Sequence, residues 1–339
     1  MTPPRAPLMP LDDALARLLA QALPLPGVDT MRTFDADGRV LAHDLVSALQ
    51  VPPLDNSAMD GYALRCADVP QPGTVLPVSQ RIPAGRVGTP LQPGTAARIF
   101  TGAPVPEGAD AVVMQEECSA EGDGHVRVQA TPRAGQNIRL AGENITRGSV
   151  VLQAGARLTP AALGLAASIG VAELPVARRP RVALFSTGDE LRSPGEPLDA
   201  GCIYDSNRFS LLGALQRLGV EVIDLGVVRD DPAALREAFT QAAACADAVI
   251  TSGGVSVGEA DHTKRVMAEL GEVLFWRIAM RPGRPMAIGR IGQAPHQAIL
   301  FGLPGNPVAV MVTFYAFVRE ALLRMAGAAP QPPLLLRAA

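Results

Sequence analysis

In the second half of the chain, carboxylates and glycine-rich turns recur wherever a strand-like apolar run ends. Thr187-Gly188-Asp189-Glu190 follows one run, Ser252-Gly253-Gly254-Val255-Ser256-Val257-Gly258 a second, and Gly302-Leu303-Pro304-Gly305-Asn306-Pro307 a third. The second turn suits an anion. Gly253 and Gly254 let backbone N–H groups converge, and Ser252 and Ser256 add hydroxyl donors. In the third, Asn306 fits a helix N-cap and Pro307 the first helical position, an arrangement expected to leave first-turn N–H groups facing the same edge. Taken singly, one turn reads as a plain tight turn and the other as a plain helix start. Together at one sheet edge they favour a phosphate or an oxyanion. Carboxylates crowd the same edge: Asp189, Glu190, Asp205 in Tyr204-Asp205-Ser206-Asn207, then Asp230, Asp231 and Asp261. Acidic groups beside phosphates repel them unless a divalent cation intervenes. Mg2+ fits, because it binds through one or two carboxylates plus ligand phosphates and water. Helix capping is the other reading for Asp231 and Asp261. Arg281 and Arg284 flank Pro282-Gly283 between two strand-like runs; paired guanidinium groups on a stiff turn suit an oxyanion, and a solvated loop is the alternative.

Two further polar positions stand in the first half. Asp60 lies in Asp55-Asn56-Ser57-Ala58-Met59-Asp60-Gly61-Tyr62-Ala63, and Thr101 in Phe100-Thr101-Gly102-Ala103-Pro104. Each reads equally as a turn former bonding its own backbone and as a reacting group. None of the four histidines has a partner at ligand or triad spacing, and no G-x-S-x-G, phosphate-loop or G-x-G-x-x-G pattern occurs, so hydrolase triads and dinucleotide oxidoreductases lose support. Cys66, Cys118, Cys202 and Cys245 are far apart in sequence and read as free thiols.

The elements that must carry these loops follow from periodicity. Strand-like Arg181–Ser186, Val220–Val228, Ala248–Thr251, Val273–Ile278, Met286–Ile291 and Ala298–Phe301 alternate with helix-like Arg208–Leu218, Pro232–Cys245, His262–Leu270 and Pro307–Met325. That alternation predicts a parallel or mostly parallel sheet with helices on both faces, whose ligands bind beyond the carboxyl ends of the strands. From Val51 to about Asn144 short apolar runs alternate with Gly and Pro, a β-rich texture, with a hairpin signal at Glu121-Gly122-Asp123-Gly124. Leu11–Leu23 reads as an amphipathic helix, Val40–Val46 as a short strand, and Thr159 as the N-cap of a helix starting at Pro160. The length, 339 residues, argues for two or three domains, and 48% apolar with 19% charged residues is ordinary globular composition. A net charge of −3 without a basic block speaks against nucleic acid as a partner. The apolar runs near 161–172 and 308–318 are too short to span a bilayer, and no basic-then-apolar leader is seen, so a cytoplasmic protein without a membrane partner is expected.

These loops, in this order, resemble the molybdopterin molybdenumtransferase family, to which the bacterial MoeA proteins and the E domain of gephyrin belong. The resemblance is carried by Asp55–Ala63, Arg98–Glu116, Gly135–Asn144, Ser186–Leu191, Tyr204–Asn207, Ser252–Lys264, Pro282–Pro285 and Leu303–Pro307. It implies a multi-domain α/β protein. A three-layer α/β pterin-binding domain with a mostly parallel sheet covers 179–327, a β-rich domain is inserted at 48–144, and a small mixed N-terminal domain for linkage and dimerisation takes 1–47 and 145–178. It also implies Mg2+-dependent insertion of molybdate into adenylated molybdopterin with release of AMP, by a homodimer working with other molybdenum cofactor biosynthesis proteins. Carried over by motif, the catalytic residues are Asp60, Thr101, Glu190, Asp230 and Asp261, with Glu190 and Asp230 holding the metal. The substrate falls to Gly188, Asp205, Ser206, Asn207, Ser252, Gly253, Gly254, Ser256, Gly258, Arg284, Pro304, Gly305, Asn306 and Pro307, with the oxyanion going to Arg281. The sequence departs from the family in having Arg281 and Arg284 where lysine is usual and Asn144 where Asp is common. The small β-barrel domain that ends family members would follow the Pro-rich segment 328–339, where this chain stops. Two other functions stand beside this one: molybdopterin adenylyl transfer, which needs only the α/β domain, and a non-catalytic pterin-binding scaffold.

Overall fold

The computed structural model describes residues 8–254, 262–283, 285–293 and 297–330. The chain forms two compact units, one of residues 1–43, 153–163 and 172–339, the other of residues 44–152 and 164–171.

The second unit is built from short strands. Gly61–Leu64 pairs antiparallel with both Ala96–Ile99 and Ala111–Met114, while Thr74–Ile82 runs parallel to Ala96–Ile99 and antiparallel to His125–Val128. Cys118–Glu121 closes a six-stranded sheet on the far edge. Side chains alternate between the two faces of a strand, so neighbouring residues feed different cores. Leu64, Val113 and Val126 lie in one, and Ala63, Ile99 and Val112 in the other. The hairpin signal at Glu121–Gly124 is realised as the turn Gly122–Gly124, with Asp123 at φ 59°, a conformation that Asp tolerates better than most residues. The expected strand Val40–Val46 is not one element. Leu45–Val46 alone is a strand, and Val40 and Leu41 make single bridges to Arg157 and Val176, because the stretch passes from one unit to the other at Asp44.

The first unit holds the alternating pattern. Its strands are β1 (Arg181–Thr187), β2 (Glu221–Val228), β3 (Ala248–Ser252), β4 (Gly271–Arg277), β5 (Pro285–Ile291) and β6 (Ala298–Leu303), in the spatial order β2-β1-β3-β6-β5-β4. The first four in that order are mutually parallel, and β5 runs antiparallel to both of its neighbours, β6 and β4. The helices are α1 (Asn207–Leu218), α2 (Pro232–Cys245), α3 (His262–Leu270) and a final pair, Pro307–Thr313 and Arg319–Met325, joined through a π turn at Phe314–Val318. At that break the Thr313 hydroxyl reaches back to the carbonyls of Ala309 (2.7 Å) and Val310 (2.9 Å), a bond that competes with regular helical pairing.

Every residue of β1 from Val182 to Thr187 is buried, so both faces of the sheet are covered. Val182 and Leu184 pack with α1 and the last helices, and Ala183 and Phe185 with α2 and α3. The Phe185 and Phe239 rings meet edge to face at 5.0 Å. This three-layer arrangement is what a βα alternation with fully apolar strands must produce. The N-terminal helix Leu11–Gln21 joins the first of these cores through Ala14 and Leu18, each fully buried. Burying a leucine of this kind contributes roughly 1.5–3 kcal/mol. Among the described residues no helix is long and apolar enough to cross a membrane.

Candidate functional site

Strand register decides which loops meet. Ser186 of β1 stands beside Ser252 of β3, Ser252 beside Leu303 of β6, and Thr187 beside Val228 of β2. The carboxyl ends of four parallel strands are therefore level, and residues 188–190, 229–231, 253–254 and 304–306 all leave from one edge. β5 runs antiparallel to β6 with Ala287 opposite Gly302, so the turn holding Arg281, which precedes β5, returns to the same edge. Arg281 is exposed there.

Direct bonds tie this rim together. Asn207 Nδ2 donates to Ser252 Oγ and to the Gly305 carbonyl, both at 2.8 Å, linking two glycine-rich turns through one side chain. Gly253 (φ 95°) and Gly254 (φ 65°) sit in the left-handed region. A Cβ at Gly253 would stand 2.4 Å from the Thr187 carbonyl, and one at Gly254 would stand 2.2 Å from Thr263 Oγ1, so both the angle and the space demand glycine. Around this turn Asn207 Oδ1 and the hydroxyls of Thr187, Thr251 and Thr263 are buried without a hydrogen-bond partner among the described residues. Buried polar groups left in this state mark a place where a polar guest or water is held.

The third turn behaves differently from expectation. Asn306 is the N-cap and Pro307 the first helical residue, but Asn306 Oδ1 accepts from Val308 N (3.0 Å) and Ala309 N (3.1 Å), and Val310 N donates to the Asn306 carbonyl. The expectation of free first-turn N–H groups is overturned: an asparagine in the capping conformation satisfies them itself. Asp231 likewise caps α2, accepting from Ala233 N and Ala234 N at 3.0 Å each, so the capping reading holds there.

The acidic groups divide into outward and inward sets. Glu190 is exposed, and its carboxylate lies over Gly188, where a Cβ would stand 2.6 Å from Oε2. Asp189 Oδ1 accepts the Asp230 N–H at 3.3 Å, which brings the β1 and β2 loops into contact. Asp189 and Glu190 are exposed on the loop after β1, while Asp230, on the adjoining loop after β2, is half-buried with its Oδ1 covered. Among the described residues no three acidic, histidine or cysteine side chains stand close enough to enclose a metal ion by themselves, so a cation here would need ligand phosphates and water to complete its shell. Asp205, by contrast, is 2% exposed. Its Oδ1 accepts from Ser186 Oγ (3.1 Å) and Arg208 N (3.2 Å), and its Oδ2 from Arg208 Nε (3.1 Å), so its carboxylate faces the protein. Its neighbour Ser206 is exposed at the start of α1.

In the other unit Asp60 and Thr101 meet. Asp60 Oδ1 accepts the Thr101 N–H and the Thr101 hydroxyl, both at 2.8 Å. These two bonds, with a smaller contribution from the Arg98 charge, hold the Asp60 carboxyl below its ordinary value, so it is ionised at neutral pH. Arg98 donates to the Gly61 carbonyl (3.0 Å) and Gln115 Oε1 (2.6 Å) and lies over the Tyr62 and Phe100 rings. Asn144 accepts from Arg139 at 2.9 Å. All four cysteines are free and half-buried; burial pushes the Cys66 and Cys118 thiols up to about 11, which keeps them in the thiol form at neutral pH.

Ser256, Gly258, Asp261 and Arg284 lie outside the described residues. Sequence reasoning passed over Arg208 and Asp224, which form an ion-pair network with Asp205, and Arg98 beside Asp60. The first two carried a signal: Arg208 is three residues past Asp205 at the start of a helix, and Asp224 interrupts the apolar run of β2.

The α/β unit with this rim is of the molybdopterin-binding class: residues 183–324 match the family model described as "Probable molybdopterin binding domain". Residues 9–170 match the model described as "MoeA N-terminal region (domain I and II)". The molybdopterin molybdenumtransferase of Haemophilus influenzae is 46% identical over 322 residues, 94% of this chain and 78% of that protein. Molybdopterin molybdenumtransferase 2 of Mycobacterium tuberculosis is 45% identical over 315 residues, 89% of this chain and 76% of that protein. The crystal structure of the molybdopterin biosynthesis MoeA protein of Pyrococcus horikoshii superposes with a TM-score of 0.81 at 32% identity, covering 95% of this chain and 80% of that one. The chain belongs to the molybdopterin molybdenumtransferase family.

Proposed function

We propose that this enzyme of molybdenum cofactor biosynthesis takes adenylated molybdopterin and molybdate and yields the molybdenum-loaded pterin and AMP. The observation that supports this best is the level rim of β2, β1, β3 and β6, where Asn207 ties the Ser252 and Gly305 turns together beside outward-facing carboxylates. Such a rim accepts a phosphate-bearing ligand through backbone and hydroxyl donors around Gly253-Gly254. Adenylyl transfer is not favoured, because relatives that carry the transferase name match this chain across its N-terminal region as well as its α/β unit.

In this reading Glu190 and Asp230 would hold Mg2+, which when bound would supply positive charge against the phosphoanhydride that links AMP to the pterin. Arg281 offers its guanidinium to molybdate, an arrangement suited to planar pairing with an oxyanion. Asp60, ionised and oriented by Thr101, acts as an acceptor of protons rather than a donor. The Thr101 hydroxyl, already donating to Asp60, orients that carboxylate. The protein works as a cytoplasmic homodimer in exchange with other proteins of the same biosynthesis.

Equilibrium binding combined with turnover tests this. Glu190→Gln should bind adenylated molybdopterin but lose Mg2+-dependent AMP release by a factor of about 100 or more. Wild-type rates in that variant at limiting Mg2+ would remove Glu190 from the metal site.

A further inference from the structure

We propose that Arg208 is a positioning residue for nucleotide binding: clamped between two carboxylates beneath the rim, it fixes the turn that presents Asn207. The inference rests on the reading of the rim as a pterin-nucleotide site.

Arg208 is 8% exposed and Asp205 2%. Its guanidinium bridges Asp205 Oδ2 through Nε (3.1 Å) and Asp224 Oδ2 through an Nη (2.5 Å). Its backbone N–H binds the other oxygen of Asp205, which also receives Ser186 Oγ from the end of β1. Asp224 Oδ1 in turn accepts the Gly226 N–H at 3.0 Å. Gly226 (φ 76°) lies in an irregularity of β2, where Leu184 stands beside Asp224 but Ser186 beside Val227. That extra residue sets which part of the chain leaves the sheet level with Thr187. One cation therefore fastens the first turn of α1 to β1 and to the β2 bulge.

The residue before it, Asn207, spans the other way, to Ser252 after β3 and Gly305 after β6. Asp205, Asn207 and Arg208 thus connect the ends of β1, β3 and β6 with the middle of β2. Arg208 itself is almost wholly covered, and its Nε and one Nη are committed to carboxylates. What a rigid, forked cation supplies here is orientation, and the group it orients carries a buried acceptor, Asn207 Oδ1, that has no partner among the described residues.

The test uses the full chain, with hydrogen–deuterium exchange and equilibrium binding of adenylated molybdopterin. Arg208→Met should speed exchange over residues 203–210 and 303–306 by more than over the other strands, and should weaken binding about tenfold. Arg208→Lys should recover only part of the affinity, because a point charge cannot fork between two carboxylates. If Arg208 acts through Asn207, its loss adds less than about twofold in an Asn207→Ala background. Losses that multiply independently in the double variant, or wild-type exchange over 203–210, overturn the proposal. A purely structural role would leave the affinity of folded molecules unchanged, which also counts against it. Should Arg208→Met fail to fold, Asp224→Asn neutralises one side of the clamp and is read the same way. A wild-type chain that binds no adenylated molybdopterin removes the functional reading of the rim, and the exchange comparison still decides whether Arg208 orders the Asn207 turn.

Discussion

Thr101 donates both its backbone N–H and its hydroxyl to the same oxygen of Asp60. A carboxylate held in this way keeps its charge and one orientation. Its pKa is below the ordinary value, so its contribution to stability is fully present above the unfolded-state value and is lost as pH falls through the lowered one. Thr101→Val removes the hydroxyl and keeps the backbone donor. In that variant the Asp60 pKa should rise part of the way back, measured by carbon NMR of the carboxyl group, and Thr101→Ser should match the wild type. Asp60→Asn should lower kcat by about 100-fold or more with little change in Tm. An Asp60→Asn enzyme with normal kcat would return Asp60 to the role of a turn former.

The Asn306 cap makes a second prediction. Asn306→Ala should cost about 1 kcal/mol in urea unfolding, with Asn306→Asp close to wild type, because aspartate offers the same acceptor to Val308 and Ala309. Equal stability of all three proteins would mean that those N–H groups find water as readily as the cap.

Gly253→Ala tests the packing of the anion turn. The new methyl would press on the Thr187 carbonyl, in a backbone conformation that alanine resists. Loss of Tm by several degrees together with at least tenfold weaker nucleotide binding is expected. Binding at wild-type strength would show that the turn is not part of the ligand site.

At the amino ends of β1 and β3, Asp247 accepts two bonds from the Arg178 guanidinium at 2.9 Å each and one from Arg181 N at 2.8 Å. Burial pushes its pKa up, but these bonds outweigh burial and the net shift is downward. Its stabilising contribution is therefore present above the ordinary carboxylate range and disappears as pH falls through the lowered value. Asp247→Asn should destabilise by about 2 kcal/mol at neutral pH and flatten the acid limb of the stability–pH curve. A variant with an unchanged acid limb would contradict the assignment.

The alternation of strands and helices after Pro180 was legible because the inner strands are apolar on both faces and the helices carry clear starts. Pro232 follows a capping Asp231, and the Pro232–Cys245 helix falls where the sequence puts it. The rim was legible for the same reason: turns after apolar runs must lie at strand ends. Other features needed three dimensions. The amphipathic stripe of Leu11–Gln21 indicates a helix but not that Ala14 and Leu18 join the α/β core. The Val40–Val46 run reads as one strand because no local signal marks where the chain leaves one unit. Whether Asn306 offers or uses the N–H groups of the next helix depends on a side-chain rotamer. The partnership of Arg208 with Asp224 crosses sixteen residues, beyond any local period.

The most direct measurement is AMP release from adenylated molybdopterin by the purified wild-type chain, with and without molybdate, at saturating Mg2+. Molybdate-dependent, stoichiometric AMP formation accompanied by loading of molybdenum onto the pterin is the predicted result. Tight pterin binding with no AMP at any molybdate concentration would contradict the account.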